Sequence, residues 1–252
     1  MKVSFVGAGP GDPELLTVKA ARLLRECRCC IYAGSLVSPQ VLELLPAAAE
    51  KYDSASMNLD EIVAAYRRAR DAGMDVVRLH TGDPSLYGAI REQMNALDEL
   101  GIEYETIPGV SSFQATAAVL NVELTAPEIA QTVILSRVAG RTPVPEYQRL
   151  ERLAETRATL CLFLSIGQID GIAEKLASQY GDDCPAAVVF HASWPDQIIF
   201  RGTLKDIAAQ VKSHHIGKTA MILVGRALSR DIPESRLYAG EFTHGYRKGT
   251  GA

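Results

Sequence analysis

Between Leu79 and Gly88 the chain reads L-H-T-G-D-P-S-L-Y-G, directly after a strand-like run from Asp75 to Leu79. A glycine, a carboxylate, a proline and the hydroxyls of Thr81, Ser85 and Tyr87 crowd into one short turn. Groups of that kind read the polar edge of a small ligand, and loops at the carboxyl ends of strands are where α/β sheets place them. Asp83 brings negative charge that can face a cation or accept from a hydroxyl; its plainer reading is a turn aspartate ahead of Pro84. A second stretch, V-G-A-G-P-G-D from Val6 to Asp12, is a glycine-rich turn between a first strand and a first helix, where the backbone can approach a ligand closely. It departs from a dinucleotide fingerprint. Asp12 stands where the third glycine should open the helix, Pro13 follows, and Ala33 ends the second strand where an acid would hold ribose hydroxyls. Hydride transfer is thereby disfavoured, while a module that holds phosphate at a helix N-terminus stays open.

The elements that must position these turns alternate short apolar runs with helix-period segments, the rhythm of βα units and a mainly parallel sheet. Strands are predicted over Lys2 to Val6, Cys30 to Tyr32, Asp75 to Leu79 and Tyr104 to Ile107. Leu16, Ala20, Leu23 and Leu24 share one face of a first helix. Asn58 and Glu61 form a capping box ahead of Ile62, Tyr66 and Ala69, and Ala72-Gly73 stops that helix. Ile90, Met94 and Leu97 mark another that ends at Gly101, and Ser111 or Ser112 caps a short one running towards Leu120. The second half changes character. Thr132 to Leu135, Thr159 to Leu164, Ala186 to Phe190, Ile198 to Gly202 and Met221 to Val224 read as strands. Tyr147 to Glu155 and Ile172 to Tyr180 read as helices, and His191 to Gly202, with Trp194-Pro195-Asp196 in its middle, as a hairpin. The expectation is an α/β protein of two α/β domains, 1-125 with a mainly parallel sheet and 126-252 with a mixed one, packed together with a ligand cleft between them.

The 252 residues carry a net charge of -4, with 47% hydrophobic and 22% charged residues. Such a chain buries a sizeable core and lacks the basic face that nucleic acid requires. No apolar stretch approaches the ~18 residues of a membrane span, and the first residues resemble a strand, not a signal peptide. A cytoplasmic location is expected. Cys27 and Cys30 have C-x-x-C spacing, but neither a second pair nor a nearby histidine completes a metal site; the cysteines read as small hydrophobes around a buried strand.

V-G-A-G-P-G-D-P-E-L-L-T from Val6 to Thr17, with H-T-G-D-P-S-L-Y-G-A from His80 to Ala89, resembles the two signatures of the tetrapyrrole (corrin/porphyrin) methyltransferases that make sirohaem and cobalamin. The resemblance spans nearly the whole chain. Within that family, Y-A-G-S-L-V-S from Tyr32 to Ser38, Q-T-V-I-L-S-R from Gln131 to Arg137, G-R-T-P-V-P-E from Gly140 to Glu146 and F-T-H-G-Y-R-K-G from Phe242 to Gly249 resemble the branch that methylates C11 of precorrin-4. Members that methylate uroporphyrinogen usually carry aspartate in place of Ala33.

The resemblance implies the tetrapyrrole methylase fold, a homodimer, and S-adenosylmethionine as donor with S-adenosylhomocysteine as product. It also implies a tetrapyrrole substrate, precorrin-4 or its cobalt form, with methylation of another ring carbon as the alternative. Carried over by position, Pro10, Thr81, Gly82, Asp83, Leu86, Ser111, Ser112, Leu164, Ala192 and Ala220 are its cofactor contacts. Leu164 stands where a methionine is frequent. The substrate's carboxylates call for cations along an acidic protein, and Arg78, Arg137, His244, Arg247 and Lys248 are the candidates, with Tyr87 as a lining aromatic. For Arg78 a solvated strand end, and for Arg137 a structural pair with an acid, are the plainer readings.

Overall fold

The computed structural model describes residues 1–34 and 36–250. The chain divides into two compact units, Met1–Val119 with His191–Ile198, and Leu120–Phe190 with Ile199–Ala252.

The first unit runs β1 (Lys2–Gly7), α1 (Val18–Glu26), β2 (Cys29–Tyr32), α2 (Pro39–Leu42), β3 (Glu50–Asp53), α3 (Leu59–Asp71), β4 (Val76–His80), α4 (Arg91–Glu99), β5 (Glu103–Ile107) and α5 (Ser112–Leu120). Its sheet has the order β3-β2-β4-β1-β5, and every pairing is parallel. From β1 the chain steps outward to β2 and β3, then returns to insert β4 beside β1 and cross to β5. Right-handed crossovers place the helices of the outward and return paths on opposite faces. The core follows that rule. Ala20, Leu24 and Val41 pack with Val6, Cys30, Val77 and Leu79 on one face. Ile62, Tyr66, Met94 and Leu97 pack with Phe5, Ile31 and Val76 on the other. The connections therefore leave β1 and β4 towards opposite sides, which makes their shared boundary the switch point of the sheet.

Local sequence sets the helix limits. Thr17 Oγ1 accepts from the Ala20 N–H at 3.1 Å to start α1. At α3 the Asn58 side chain accepts from the Glu61 N–H at 3.0 Å, and Glu61 accepts in return from the Asn58 N–H at 2.7 Å. Gly73 and Gly101, at φ +61° and +63°, end α3 and α4 in the left-handed conformation that glycine adopts without strain. β3 escapes a sequence reading because E-K-Y-D is a polar edge strand with no alternating pattern.

The second unit runs β6 (Val133–Ser136), α6 (Leu150–Ala154), β7 (Thr159–Leu162), α7 (Ile169–Tyr180), β8 (Pro185–Phe190), β9 (Ile198–Thr203), α8 (Ile207–Lys212) and β10 (Ala220–Val224). Its sheet, ordered β6-β7-β10-β8-β9, is mixed: β6 is parallel to β7, and β10 is antiparallel to both β7 and β8. The helix expected over Tyr147 to Glu155 is split, because Arg149 is extended between a 3-10 turn at Glu146–Gln148 and α6. No helix among the described residues is long and apolar enough to cross a membrane.

Candidate functional site

The glycine loop after β1 and the T-G-D-P turn after β4 meet directly. The Ala8 N–H donates to the His80 carbonyl at 2.7 Å, the Gly82 N–H to the Gly9 carbonyl at 2.8 Å, and the Gly9 N–H to the Gly82 carbonyl at 3.3 Å. Gly9 and Gly82 take left-handed φ values of +66° and +64° to make this bridge. The loop after β5 closes on the same point. A Cβ on Gly7 would lie 2.6 Å from Gly109 Cα and from the Gly82 carbonyl oxygen, so three strand ends converge on bare backbone. Gly82 has Ser111 Cα at 3.6 Å and Ser112 N at 3.8 Å from the place of its absent Cβ, which sets the hydroxyl pair against the second signature. Ser111 is itself fixed at the start of α5, its N–H donating to Gln114 Oε1 at 3.0 Å.

Asp83 ties two of these loops together. Its Oδ2 accepts from the Gly109 N–H at 2.9 Å, while Oδ1 accepts from the Ser85 N–H at 2.8 Å and from Ser85 Oγ. Burial pushes its pKa up, but the hydrogen bonds from Ser85 Oγ, the Gly109 N–H and the Ser85 N–H outweigh this and hold it below the ordinary carboxylate value. Its carboxylate is a latch within the turn and a local source of negative charge. Beside it, Thr81 Oγ1 is buried with no hydrogen-bond partner among the described residues. His80, buried at the end of β4, also leaves Nε2 unpartnered. Burial, assisted by the Arg78 charge, pushes its pKa down to about 3, so the imidazole is neutral near pH 7. Leu86 is half-buried; Tyr87 is 46% exposed and sits at φ +56°.

Arg78 is corrected as a substrate ligand. β4 continues through His80, so Arg78 lies inside the strand, on the face that Val76 gives to α3 and α4, and is only 5% exposed. Its Nε donates to Gln93 Oε1 at 2.9 Å and Nη1 to the Ile31 carbonyl at 3.3 Å; Tyr66 Oη donates to the same Gln93 oxygen at 2.8 Å. Gln93 Nε2 then donates to the carbonyl of Ala89, a residue at φ +49° just beyond the turn. The guanidinium is a buried strut under the ligand turn.

Pro10 is buried, and its carbonyl accepts from Trp194 Nε1–H at 2.7 Å, so its ring is what it has left to offer a ligand. Ala192 is buried two residues before that indole. In the second unit, Leu164 follows β7, 71% exposed at φ +53°, a conformation that a leucine rarely adopts. Ala220 opens β10 opposite Phe190. Arg137 spends Nη1 on the Val138 and Thr142 carbonyls at 3.4 and 3.1 Å and Nη2 on that of Pro143 at 2.7 Å, closing its own loop rather than pairing with an acid. Arg247 is likewise committed to the tail, with Nη2 within reach of the Leu237, Ala239 and Phe242 carbonyls. Cys27, Cys29 and Cys30 are buried, split between the two faces of the first sheet. Among the described residues no group of His, Cys, Asp and Glu is arranged to hold a metal ion. Of the Tyr32 to Ser38 motif, Ser35 lies outside the described residues.

The family model for Tetrapyrrole (Corrin/Porphyrin) Methylases matches residues 2–208. This chain is a tetrapyrrole methylase. Among curated members, a cobalt-precorrin-4 C(11)-methyltransferase from Methanocaldococcus jannaschii is 51% identical, over 98% of this chain and 96% of its own length. A precorrin-4 C(11)-methyltransferase from Pseudomonas aeruginosa is 50% identical, over 99% of this chain and all of its own. The X-ray structure of a cobalt precorrin-4 methyltransferase, a cobalamin biosynthetic enzyme, superposes with a TM-score of 0.88 at 44% identity, covering 90% of this methylase and 96% of that chain. A uroporphyrin-III C-methyltransferase from Thermus thermophilus, solved with S-adenosylhomocysteine, gives a TM-score of 0.75 at 30% identity and 95% coverage of each chain. The methylase signatures thus fall at the ends of β1 and β4, where their loops meet backbone to backbone. Sequence reasoning missed Trp194 as a partner of the glycine loop, since 184 residues separate it from Pro10.

Proposed function

We propose that this tetrapyrrole methylase transfers a methyl group from S-adenosylmethionine to C11 of precorrin-4, or of its cobalt form, in cobalamin biosynthesis. What carries the reading is identity of 50% or more, along almost the full length, with enzymes named for that reaction. The residues of the first unit fit the cofactor. A partnerless Thr81 hydroxyl and the Ser111 and Ser112 pair, set beside Gly82 where three loops meet backbone to backbone, suit a ligand rich in hydroxyls and donors. Bound there, the cofactor supplies a methyl group already activated by its sulfonium charge.

The protein's task is therefore placement. Thr81, Gly82, Ser111, Ser112 and Pro10 border the donor, Asp83 holds their loops in register and keeps negative charge nearby, and Leu86 adds an apolar wall. Ala192, Leu164 and Ala220 complete the proposed contact set. Aligned reactants gain an effective molarity of ~10⁵ M or more, which makes geometry the main catalytic device and removes the need for an indispensable nucleophile. Tyr87 and Arg137, with His244 and Lys248 of the tail, are the proposed substrate contacts that remain. The working form is a cytoplasmic homodimer without nucleic-acid partners, a reading supported by the family resemblance, five free buried cysteines and a net charge of -4.

Two measurements test the reading. Mass spectrometry of the purified protein should find S-adenosylmethionine or S-adenosylhomocysteine; a phosphorylated nucleotide would favour the phosphate-holding module instead. Carbon-13 methyl labelling should then place the label at C11 of the product, and a label elsewhere on the ring rejects the assignment. Metal-free and cobalt-loaded substrates, compared side by side, identify which form is turned over.

A further inference from the structure

We infer that Trp194 is a positioning residue for the glycine loop, held in place by a strap of its own, and that cofactor affinity depends on it. The strap is His191–Ile198, which leaves β8 and returns as β9 yet belongs to the first unit. Its inner side fits the glycine loop at three points. Trp194 Nε1–H donates to the Pro10 carbonyl at 2.7 Å, Ser193 Oγ accepts from the Asp12 N–H at 3.1 Å, and the indole edge occupies the space where a side chain on Gly11 would start. Gly11 is thus glycine because tryptophan stands there. Fixing the carbonyl of Pro10 and the amide of Asp12 on either side of Gly11 fixes the orientation of both intervening peptide groups.

The strap is in turn over-determined. The His191 ring stacks on the indole at 4.4 Å between centroids with 24° between planes, and Nδ1 lies 2.9 Å from both Asp196 carboxylate oxygens. The Ser193 N–H donates to Gln197 Oε1 at 2.8 Å, and the Trp194 N–H to the His191 carbonyl at 2.9 Å. His191 and Ser193 both hold left-handed φ values, +47° and +70°. Non-glycine residues keep that conformation only where their surroundings impose it, and such strain gathers at ligand sites. The arrangement passes order from Asp196 and His191 to the indole and from the indole to the loop beneath the proposed cofactor.

The inference rests on the methyltransferase reading for its cofactor arm but has a readout independent of it. Trp194→Phe keeps an aromatic ring and deletes the donor. Hydrogen exchange of the unliganded variant should show faster exchange at the Gly9, Gly11 and Asp12 amides. S-adenosylhomocysteine affinity by calorimetry should fall roughly 3- to 10-fold, the loss of one partly buried hydrogen bond. KM for the tetrapyrrole should stay as in the parent. Asp196→Ala, at an exposed carboxylate, gives the same direction with a smaller loss and serves if Trp194→Phe folds poorly. Unchanged loop exchange and unchanged affinity in a folded variant, even with a lowered melting temperature, would make the indole a mere packing residue and overturn the inference. Failure of the parent protein to bind S-adenosylhomocysteine refutes the proposed function, whereas the exchange result still decides what the strap holds.

Discussion

His80 and Asp83 sit three residues apart and answer pH in the same sense over different ranges. His80 is neutral in the folded chain down to about pH 3, while an unfolded histidine takes up its proton near pH 6.5. Between those values the unfolded state binds more protons, so stability falls as pH drops, by up to about 1.4 kcal/mol per pH unit from this one group. Asp83, with its folded pKa depressed, stabilises fully above the ordinary carboxylate value and loses that contribution as pH falls through its lower folded value. Urea unfolding at pH 7, 6 and 5 should therefore show an acid slope that His80→Phe flattens, with Asp83→Asn leaving it intact. Asp83→Asn should instead cost about 1.5 to 3 kcal/mol at pH 7, because the charged acceptor facing the Gly109 N–H is lost. Residue types announced this turn in the sequence, since glycine, hydroxyl and carboxylate rarely crowd together for packing. Arg78 was misread for a definable reason. A charged residue two places before a turn looks like a strand end, and only the Gln93 and Tyr66 partners, arriving from other helices, show that it points into the core.

At the level of elements, β1, β4 and β5 were legible as apolar runs with periodic helices between them, and so was the mixed character of the second sheet. Their order was not. It depends on the return of β4 to a place beside β1, which no local pattern records, and the switch point follows from that order. Hairpin signals marked the His191 to Gly202 stretch, but what its tip touches lies nearly two hundred residues away in sequence. Where strand ends press backbone on backbone, substitution has no flexible neighbour to displace. A Cβ on Gly109 would collide with the Gly82 carbonyl oxygen and lie 2.8 Å from Gly7 Cα. Gly109→Ala should cost about 1 to 3 kcal/mol in urea unfolding and abolish detectable S-adenosylhomocysteine binding. Gly73→Ala, where nothing lies within 4 Å of the added carbon, pays only for its left-handed backbone and should bind the ligand as the parent does.

For the molecule as a whole, the paired signatures alone carry the family resemblance, because they encode the loops that must meet backbone to backbone at the ends of β1 and β4, while composition and charge narrow only the broad class. The partition into units was less legible. Contacts break the chain at Val119 and Leu120 and return His191–Ile198 to the first unit, an exchange that no composition shift or linker announces. Sedimentation equilibrium should give twice the 27.2 kDa chain mass for the proposed homodimer, and a monomer at micromolar concentration would remove that part of the reading.

The meeting of Gly7, Gly82 and Gly109 has a consequence for anyone wishing to redirect this enzyme. A junction of bare main chain offers no handle for altering preference by exchange of amino acids, and every enlargement there weakens the sheet itself. Libraries aimed at a new acceptor ring should leave those positions frozen and diversify Tyr87 and Arg137, among the proposed contacts of the ring, instead.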